Sequence, residues 1–171
     1  MGENIYHARL MFARPFIDSL EFAKNGKELC GEISLIDLPR LSNMLINSEG
    51  SLTYRVIGSQ EGDSHKLEIT LNGKCNLRCQ RCLEELPYPL DISAHLQLLT
   101  AEMLEEIEDE GSIEDAIEAS RHLDVLELIE DEVLLNLPFA PRHPEGTCAA
   151  PIKDLRQKDN PFAILAALKK Q

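Results

Sequence analysis

Aromatic side chains are scarce in this chain, which has no tryptophan and only 5% Phe, Trp and Tyr together. It therefore offers few rings for stacking on unpaired bases, the usual way in which proteins hold single strands. Long apolar runs are missing as well, because the run at 162–168 is far shorter than the roughly 20 residues of a membrane span. Residues 1–16 contain no apolar core of the kind that a secretory signal needs. We expect a cytoplasmic protein without a membrane partner.

Basic residues are outnumbered, with 17 Lys and Arg against 30 Asp and Glu and a formal net charge of −13. The imbalance is local, because residues 102–132 hold 14 acids and one base, Arg121. The rest of the chain holds 16 residues of each sign and is neutral. Affinity for nucleic acid comes largely from Lys and Arg, so this charge excludes unaided long-range attraction to RNA. Any RNA contact must be local and shielded from the acidic segment.

Paired cysteines and glycine-rich phosphate loops are also lacking. The five Cys are an odd number, and a reducing compartment does not favour a disulfide framework. Neither the P-loop pattern nor the dinucleotide-binding glycine pattern occurs, and no small-molecule substrate is evident. The length suits a single domain over 1–171, which can bury a core without needing a metal to fold.

The first half of the chain has the two-residue period of strands. Apolar and polar residues alternate at 52–56, 67–72 and 90–98, within a strand-rich region over 28–99. One buried and one wet face is typical of an antiparallel sheet. The sequence also predicts a turn-rich linker over 58–64 and a short helix over about 37–46.

The second half has the pattern of short helices and loops. An acidic insert over 101–123 begins with a helix over 101–110, and residues 112–122 show no clear period and fit either a loop or a short strand. Asp124 is placed to cap a helix over 124–137, which ends at a proline. An irregular Pro-rich loop over 138–159 and a final helix over 160–170 follow. The predicted fold class is therefore α+β, an antiparallel sheet with a few short helices.

Two thiols and a distant His–Cys pair have the spacing of a metal site. Two residues separate Cys79 from Cys82, so that a tight turn brings both thiolates onto one ion. His143 and Cys148 lie in the Pro-rich loop and would complete a tetrahedral Cys₂HisCys site for one structural zinc. Such an ion would join the two halves of the chain. Reduced thiols in a turn and a redox-active pair are the alternatives left open.

A further cysteine, Cys75, gives the spacing Cys-x₃-Cys-x₂-Cys, which resembles the iron–sulfur motif of radical S-adenosylmethionine enzymes. The residue before the last Cys is Arg81, where that family usually has an aromatic side chain. Only 89 residues follow Cys82, too few for the further βα units of that barrel at about 30 residues each. An iron–sulfur or thiol-redox enzyme is therefore a remote alternative.

Other polar residues are better explained by the surface than by catalysis. Adjacent acids at 130–132 diverge by about 100° around a helix, so they are predicted to form a solvated face and not a catalytic pair. His65, His95 and His122 are predicted to lie on the surface, and Cys30 is predicted to be a small core residue. No catalytic residue is predicted.

Three segments, in this order and spacing, resemble the YceD-like family of bacterial large ribosomal RNA subunit accumulation proteins. They are the Cys-Gln-Arg-Cys turn at 79–82, the acidic helix from Leu123 that leads through Leu-Pro into the His…Cys loop at 143–148, and the Asn-Pro-Phe-Ala segment at 160–163. The resemblance extends over nearly the whole chain. It implies a non-catalytic factor that supports the synthesis, processing or stability of 23S (large-subunit) ribosomal RNA.

The expected partners are ribosomal RNA or ribosomal and assembly proteins. Basic side chains at the cysteine turn and the C-terminus suggest local contacts, and the resemblance adds the Asn-Pro-Phe segment. The predicted partner-binding residues are Arg78, Arg81, Arg142, Asn160, Pro161, Phe162, Lys169 and Lys170. The alternatives are ordinary solvated charge at the basic positions, and a protein-interaction adaptor with a structural zinc and no ribosomal role.

Overall fold

The computed structural model describes residues 14–107 and 115–148, which form a mostly antiparallel sheet with short helices. The strands are β1 (Phe16–Ile17), β2 (Glu28–Ser34), β3 (Ser51–Glu61), β4 (Ser64–Arg78), β5 (Glu85–Leu99), β6 (Ala116–Glu118) and β7 (Leu123–Asp124). The helices are α1 (Ser19–Lys24), α2 (Pro39–Ser42), α3 (Ala101–Ile107) and α4 (Val125–Asn136), with a 3₁₀ turn at Leu35–Asp37. The predicted α+β class is confirmed.

Five strands form one sheet in the order β2-β3-β4-β5-β6, while β1 pairs with β7. The strands from β2 to β5 are antiparallel to their neighbours, and β6 joins the edge of β5 in parallel. The β4–β5 hairpin is in register from His65 opposite Leu98 to Arg78 opposite Glu85. The closed end of this long hairpin therefore carries the Cys79–Cys82 turn.

The core lies on one face of the sheet, as the two-residue alternation predicts. In β4, Leu67, Ile69 and Leu71 are fully buried, whereas Glu68 and Asn72 between and beside them are exposed. Helices α1 and α4 pack against the sheet and supply residues to the same core, and α2 packs on α4. The sheet thus has one wet face and one face covered by helices.

Helix α1 is too short for its period to be visible in the sequence. Asp18 caps it, because its carboxylate accepts a backbone N–H of the first turn at 3.0 Å. The helix lies directly on β3 at Gly58, where a Cβ would come within 2.6 Å of the Ala23 Cα. Gly58 thus permits close packing inside a strand. The predicted turn-rich linker is wrong, since β3 continues to Glu61 and the turn is confined to Gly62 and its neighbour.

The predicted helix over 124–137 is confirmed as α4. The Asp124 carboxylate caps it by accepting the N–H groups of Leu126 and Glu127 at 2.9 and 3.2 Å. The predicted helix over 37–46 is shorter in the structure, a 3₁₀ turn followed by α2, because Leu45 leaves the helix to form a β-bridge with Leu77.

The acidic insert contains both helix and strand. Helix α3 occupies 101–107, and the described part of the stretch without a clear period contains β6 beside β5. The end of the helix predicted to run to 110 and the predicted helix over 160–170 lie outside the described residues.

Two of the three acids predicted to form a solvated helix face are buried, so that prediction is wrong. Glu130 is 3% exposed and Glu132 is 7% exposed. The Glu130 carboxylate accepts three hydrogen bonds from α2: from Arg40 Nε at 2.8 Å, from the Arg40 N–H at 2.7 Å and from the Leu41 N–H at 3.0 Å. It therefore satisfies the free N–H groups at the start of α2. Periodicity could not reveal this, because Arg40 lies 90 residues away in sequence.

Candidate metal centre

The Cys79–Cys82 turn closes the β4–β5 hairpin through its own backbone. The Cys79 N–H donates to the Glu84 carbonyl at 3.0 Å, and the Leu83 N–H donates to the Cys79 carbonyl at 2.9 Å. Leu83 has a φ of 65°, in the left-handed region that glycine usually occupies. This tight path brings the thiols of Cys79 and Cys82 close together.

The loop after α4 covers this turn. The Gln80 N–H donates to the Pro141 carbonyl at 2.8 Å and thereby fixes the loop beside the hairpin end. Thr147 donates to the Pro144 carbonyl through its backbone N–H at 3.2 Å and its hydroxyl at 2.7 Å. This second turn returns Cys148 to the cysteine pair.

Four side chains, those of Cys79, Cys82, His143 and Cys148, converge where the turn and the loop meet. Their three Sγ atoms and one ring nitrogen all lie within 4.8 Å of one another. The Sγ atoms of Cys79 and Cys148 are 3.8 Å apart. The His143 Nδ1 lies 3.4 Å from Cys82 Sγ and 3.8 Å from Cys148 Sγ. Bonds of about 2.3 Å from zinc to sulfur and about 2.0 Å to nitrogen give tetrahedral edges of about 3.8 and 3.5 Å. These three separations match those edges, and the donor set has the chemistry that zinc prefers, so the group could hold a metal ion such as zinc.

The His143 ring is oriented by the sheet. Its Nε2 lies 3.0 Å from the Glu85 carbonyl, which can only accept, so Nε2 carries the proton. In the neutral ring, Nδ1 then carries no proton, so its lone pair can bind a metal ion, and it lies beside the thiols of Cys82 and Cys148. Histidines that bind metals commonly have one ring N–H fixed by a carbonyl in this way.

The thiols of this group differ in acidity. Burial by itself raises the pKa of the Cys79 thiol, but backbone N–H groups, including those of Cys82 and His143, lower it to about 5. The pKa of Cys82 is raised instead. The Glu84 N–H lowers it, but burial and the neighbouring thiols of Cys148 and Cys79 together raise it by more. The fold thus favours the thiolate form at Cys79 and the thiol form at Cys82, and a bound metal ion would favour the thiolate at both.

Arg81, in the cysteine turn, holds the loop after α4 through hydrogen bonds. Its Nε donates to Cys148 Sγ at 2.9 Å, and its Nη2 donates to the carbonyls of His143 and Pro144 at 3.2 and 3.1 Å. Hydrogen bonding to Cys148 is the main reason why the pKa of this guanidinium is raised. Spacing in the sequence marks the ligands but not this positioning role.

The other predicted partner-binding residues are placed differently. Arg78 and Arg142 are exposed at the end of β4 and in the covering loop. Asn160, Pro161, Phe162, Lys169 and Lys170 lie outside the described residues.

The two remaining thiols do not join the ligand group. Cys75 is 1% exposed on the core side of β4, and burial raises the pKa of its thiol to about 11. The metal-ligand group found in the described residues does not include it. The three-cysteine iron–sulfur arrangement is therefore not assembled. Cys30 is half-buried and donates to Glu28 at 3.1 Å, so the prediction of a core position for it is wrong.

Beside the ligand group lies a recess of about 320 Å³, lined by the end of α2, the end of β4 and the covering loop. Its lining includes Asn43, Met44, Arg78, Gln80 and Phe139. Phe139 is fully exposed. Sequence reasoning missed Phe139, although an aromatic residue among prolines after a helix, in a chain poor in aromatics, is a usable signal.

The fold and site define a class of small α+β proteins in which a sheet hairpin and a Pro-rich loop bring a Cys₂HisCys ligand set together. The family described as Large ribosomal RNA subunit accumulation protein YceD matches residues 67–169, which include all four candidate ligands. The chain belongs to this family.

The relatives extend the match beyond that region. A Haemophilus influenzae protein described as Large ribosomal RNA subunit accumulation protein YceD is 27% identical over 174 aligned residues, covering 91% of this chain and 95% of the relative. No solved structure matches the chain. Within the described residues, no helix is long and apolar enough to cross a bilayer.

Proposed function

We propose that this chain is a non-catalytic cytoplasmic factor that supports the accumulation of large-subunit ribosomal RNA. The observation that carries the proposal is the family match over residues 67–169. The H. influenzae relative, which has the same description, aligns over almost its whole length. The proposed partners are ribosomal RNA and ribosomal or assembly proteins.

Zinc has a structural part in this proposal. Cys79, Cys82, His143 and Cys148 would hold one ion, and four protein ligands leave no open position for a reacting molecule. The ion would balance the thiolate charge and fix the covering loop on the end of the β4–β5 hairpin. The protein then acts by presenting a shaped surface to its partners.

A basic protein is the partner that the acidic segment suits best. Residues 102–132 carry the whole net charge of the chain, and Glu102 and Glu127 within it are exposed. Complementary charge speeds and orients the meeting of two proteins. We infer that this segment meets a basic ribosomal protein, while RNA contacts are confined to the neutral or basic surface around the cysteine turn.

The test is a strain depleted of this protein and supplied with variants. Depletion is expected to lower the ratio of large-subunit to small-subunit RNA, and the wild type is expected to restore it. The double variant Cys79→Ser, Cys82→Ser should not restore it, whereas Cys30→Ser, which changes a thiol outside the site, should. Normal subunit profiles on a sucrose gradient after depletion, including in the cold, would contradict a ribosomal role. Crosslinking to unrelated proteins alone would favour the adaptor alternative.

A further inference from the structure

The recess beside the metal centre differs in charge from the rest of the protein. The chain has 30 acidic residues, yet none of the residues that line the recess is acidic. Its polar groups are one guanidinium, from Arg78, and the side-chain amides of Asn43 and Gln80. An anionic ligand therefore meets a positive charge and no lining carboxylate. Amides can donate to and accept from the edges of bases.

The aromatic ring at the recess is unusually free. Phe139 is 102% exposed, so almost none of its surface is covered by the protein. Phe16 is also exposed, but its ring stacks on His122 with centroids 4.1 Å apart. Among the described residues, no ring contact involves Phe139. Prolines at 138 and 141 restrict the backbone near Phe139, while its side chain stays uncovered.

We propose that this recess binds an unpaired nucleotide of single-stranded RNA, whose base stacks on Phe139 and whose phosphate pairs with Arg78. The proposal rests on the proposed function and adds to it the RNA-contacting residues. A volume of about 320 Å³ is in the range of small-ligand sites and accommodates one nucleotide. An apolar peptide is the weaker candidate, because the side chains of Arg78 and Asn43 would lose water without gaining partners.

The metal centre positions two walls of this recess. Arg78 immediately precedes Cys79, and Gln80 lies between the first two ligands. The Gln80 N–H holds the Pro141 carbonyl, which belongs to the opposite wall. Joining the hairpin end to the loop therefore fixes the distance between the wall of the recess that contains Arg78 and the wall that contains Phe139.

Fluorescence anisotropy with a labelled, unstructured RNA of about 12 nucleotides tests the proposal on the full chain. Phe139→Ala is expected to weaken binding about 5- to 150-fold, and Phe139→Tyr, which keeps a stacking ring, should bind like the wild type. Arg78→Ala should weaken binding of all sequences and lower the slope of log affinity against log salt by about one. The matched controls are Leu135→Ala, an apolar residue 78% exposed on α4, and Arg121→Ala, an exposed arginine.

Several results would overturn the proposal. They are a wild type that binds no RNA, a Phe139→Ala variant with unchanged affinity, and photocrosslinks from iodouridine RNA that map away from the peptide containing Phe139. Loss of ribosomal-protein capture by Phe139→Ala at unchanged RNA affinity would assign the recess to a protein. Because Phe139 is fully exposed, an unchanged melting temperature is expected and confirms that the variant is folded.

The depletion strain separates this proposal from the proposed function. If Phe139→Ala restores large-subunit RNA as fully as the wild type does, the proposed nucleotide site is excluded and the proposed function still stands. If large-subunit RNA is unchanged after depletion, the proposed function is excluded, whatever the purified protein binds.

Discussion

The Sγ atoms of Cys79 and Cys148 lie 3.8 Å apart, although 69 residues separate the two positions in the chain. Strands β5, β6 and β7 and helices α3 and α4 lie between them. Closing so long a connection costs chain entropy, and two thiols in contact return little of it. An ion that binds both sulfurs would return much more, because its binding free energy contributes directly to folding.

We expect the purified protein to carry one zinc ion and to depend on it for stability. Removal of the ion by a strong chelator should lower the melting temperature by at least about 5 °C, because the hairpin end and the loop lose their link. Elemental analysis of protein prepared without chelators or metal-affinity resin measures the content. Cys30→Ser should retain the metal, since Cys30 lies outside the ligand group. Well under one zinc per chain would contradict a zinc site.

Arg81 is expected to act as a positioning residue for the metal centre. Arg81→Ala should weaken zinc affinity about 10- to 100-fold, because Cys148 and the carbonyls of His143 and Pro144 lose their donor. Arg81→Lys should not restore it, since an ammonium group cannot reproduce the guanidinium fork. Competition titration with a colorimetric chelator measures the affinity. Equal affinity in the wild type and Arg81→Ala would exclude this role, and Arg121→Ala is the matched control.

The contact between Glu130 and Arg40 is expected to be important for stability. Glu130→Ala should cost about 2–3 kcal/mol, because Arg40 loses its buried partner and two backbone N–H groups of α2 lose their acceptor. Asp131→Ala, which removes an exposed partner of the same arginine at 2.7 Å, should cost less than about 1 kcal/mol. Urea unfolding at neutral pH measures both. Equal costs for the two variants would contradict a special role for the buried carboxylate.

The same contact predicts an acid-dependent loss of stability. Burial alone raises the pKa of Glu130, but the Arg40 side chain and the N–H groups of Leu41 and Arg40 lower it below the usual value. A carboxylate with a lowered folded pKa contributes stability above its unfolded pKa, and this contribution is lost as the pH falls through the folded value. The difference between wild type and Glu130→Gln should therefore shrink below about pH 4. A difference that stays constant with pH would rule out an ionised Glu130.

Glu132 is expected to have the opposite effect. Burial, followed by the charges of Asp115 and Asp131, raises the pKa of its carboxyl group. Because the unfolded chain then ionises more readily, stability falls as the pH rises from the unfolded pKa through the folded one. Glu132→Gln should therefore stabilise the protein at neutral pH, and the gain should vanish in acid. Urea unfolding at two pH values measures this, and a destabilised variant at neutral pH would be the contrary outcome.

Local sequence patterns predicted the parts of the fold that depend on neighbouring residues. The alternation at 67–72 predicted a half-buried strand, and Asp124 predicted the start of α4, because period and capping act over a few residues. The convergence of Cys79, Cys82, His143 and Cys148 was also anticipated, because the spacing within the two pairs is that of a metal site, although the same spacing left reduced thiols and a redox-active pair open.

Features that depend on distant contacts were not predictable in the same way. Burial of Glu130 follows from an arginine 90 residues away, and nothing near α4 indicates it. The sequence around Gly58 predicts a turn, but in the structure Gly58 lets α1 approach β3 closely. The orientation of Arg81 depends on where the covering loop lies. In each case the decisive partner is set by tertiary packing, which overrides local preference.

Leu83 is expected to strain the cysteine turn, and its replacement by glycine should relieve that strain. Its φ of 65° is unfavourable for a residue with a Cβ, and its side chain is 63% exposed, so little packing is lost. Leu83→Gly should stabilise the protein by about 1 kcal/mol. The matched control is Gly62→Ala, at a φ of 61° with open space around the new Cβ, which should destabilise it by a similar amount. Urea unfolding measures both. If Leu83→Gly instead lowers stability while Gly62→Ala behaves as expected, the Leu83 side chain must contribute packing that outweighs the backbone strain.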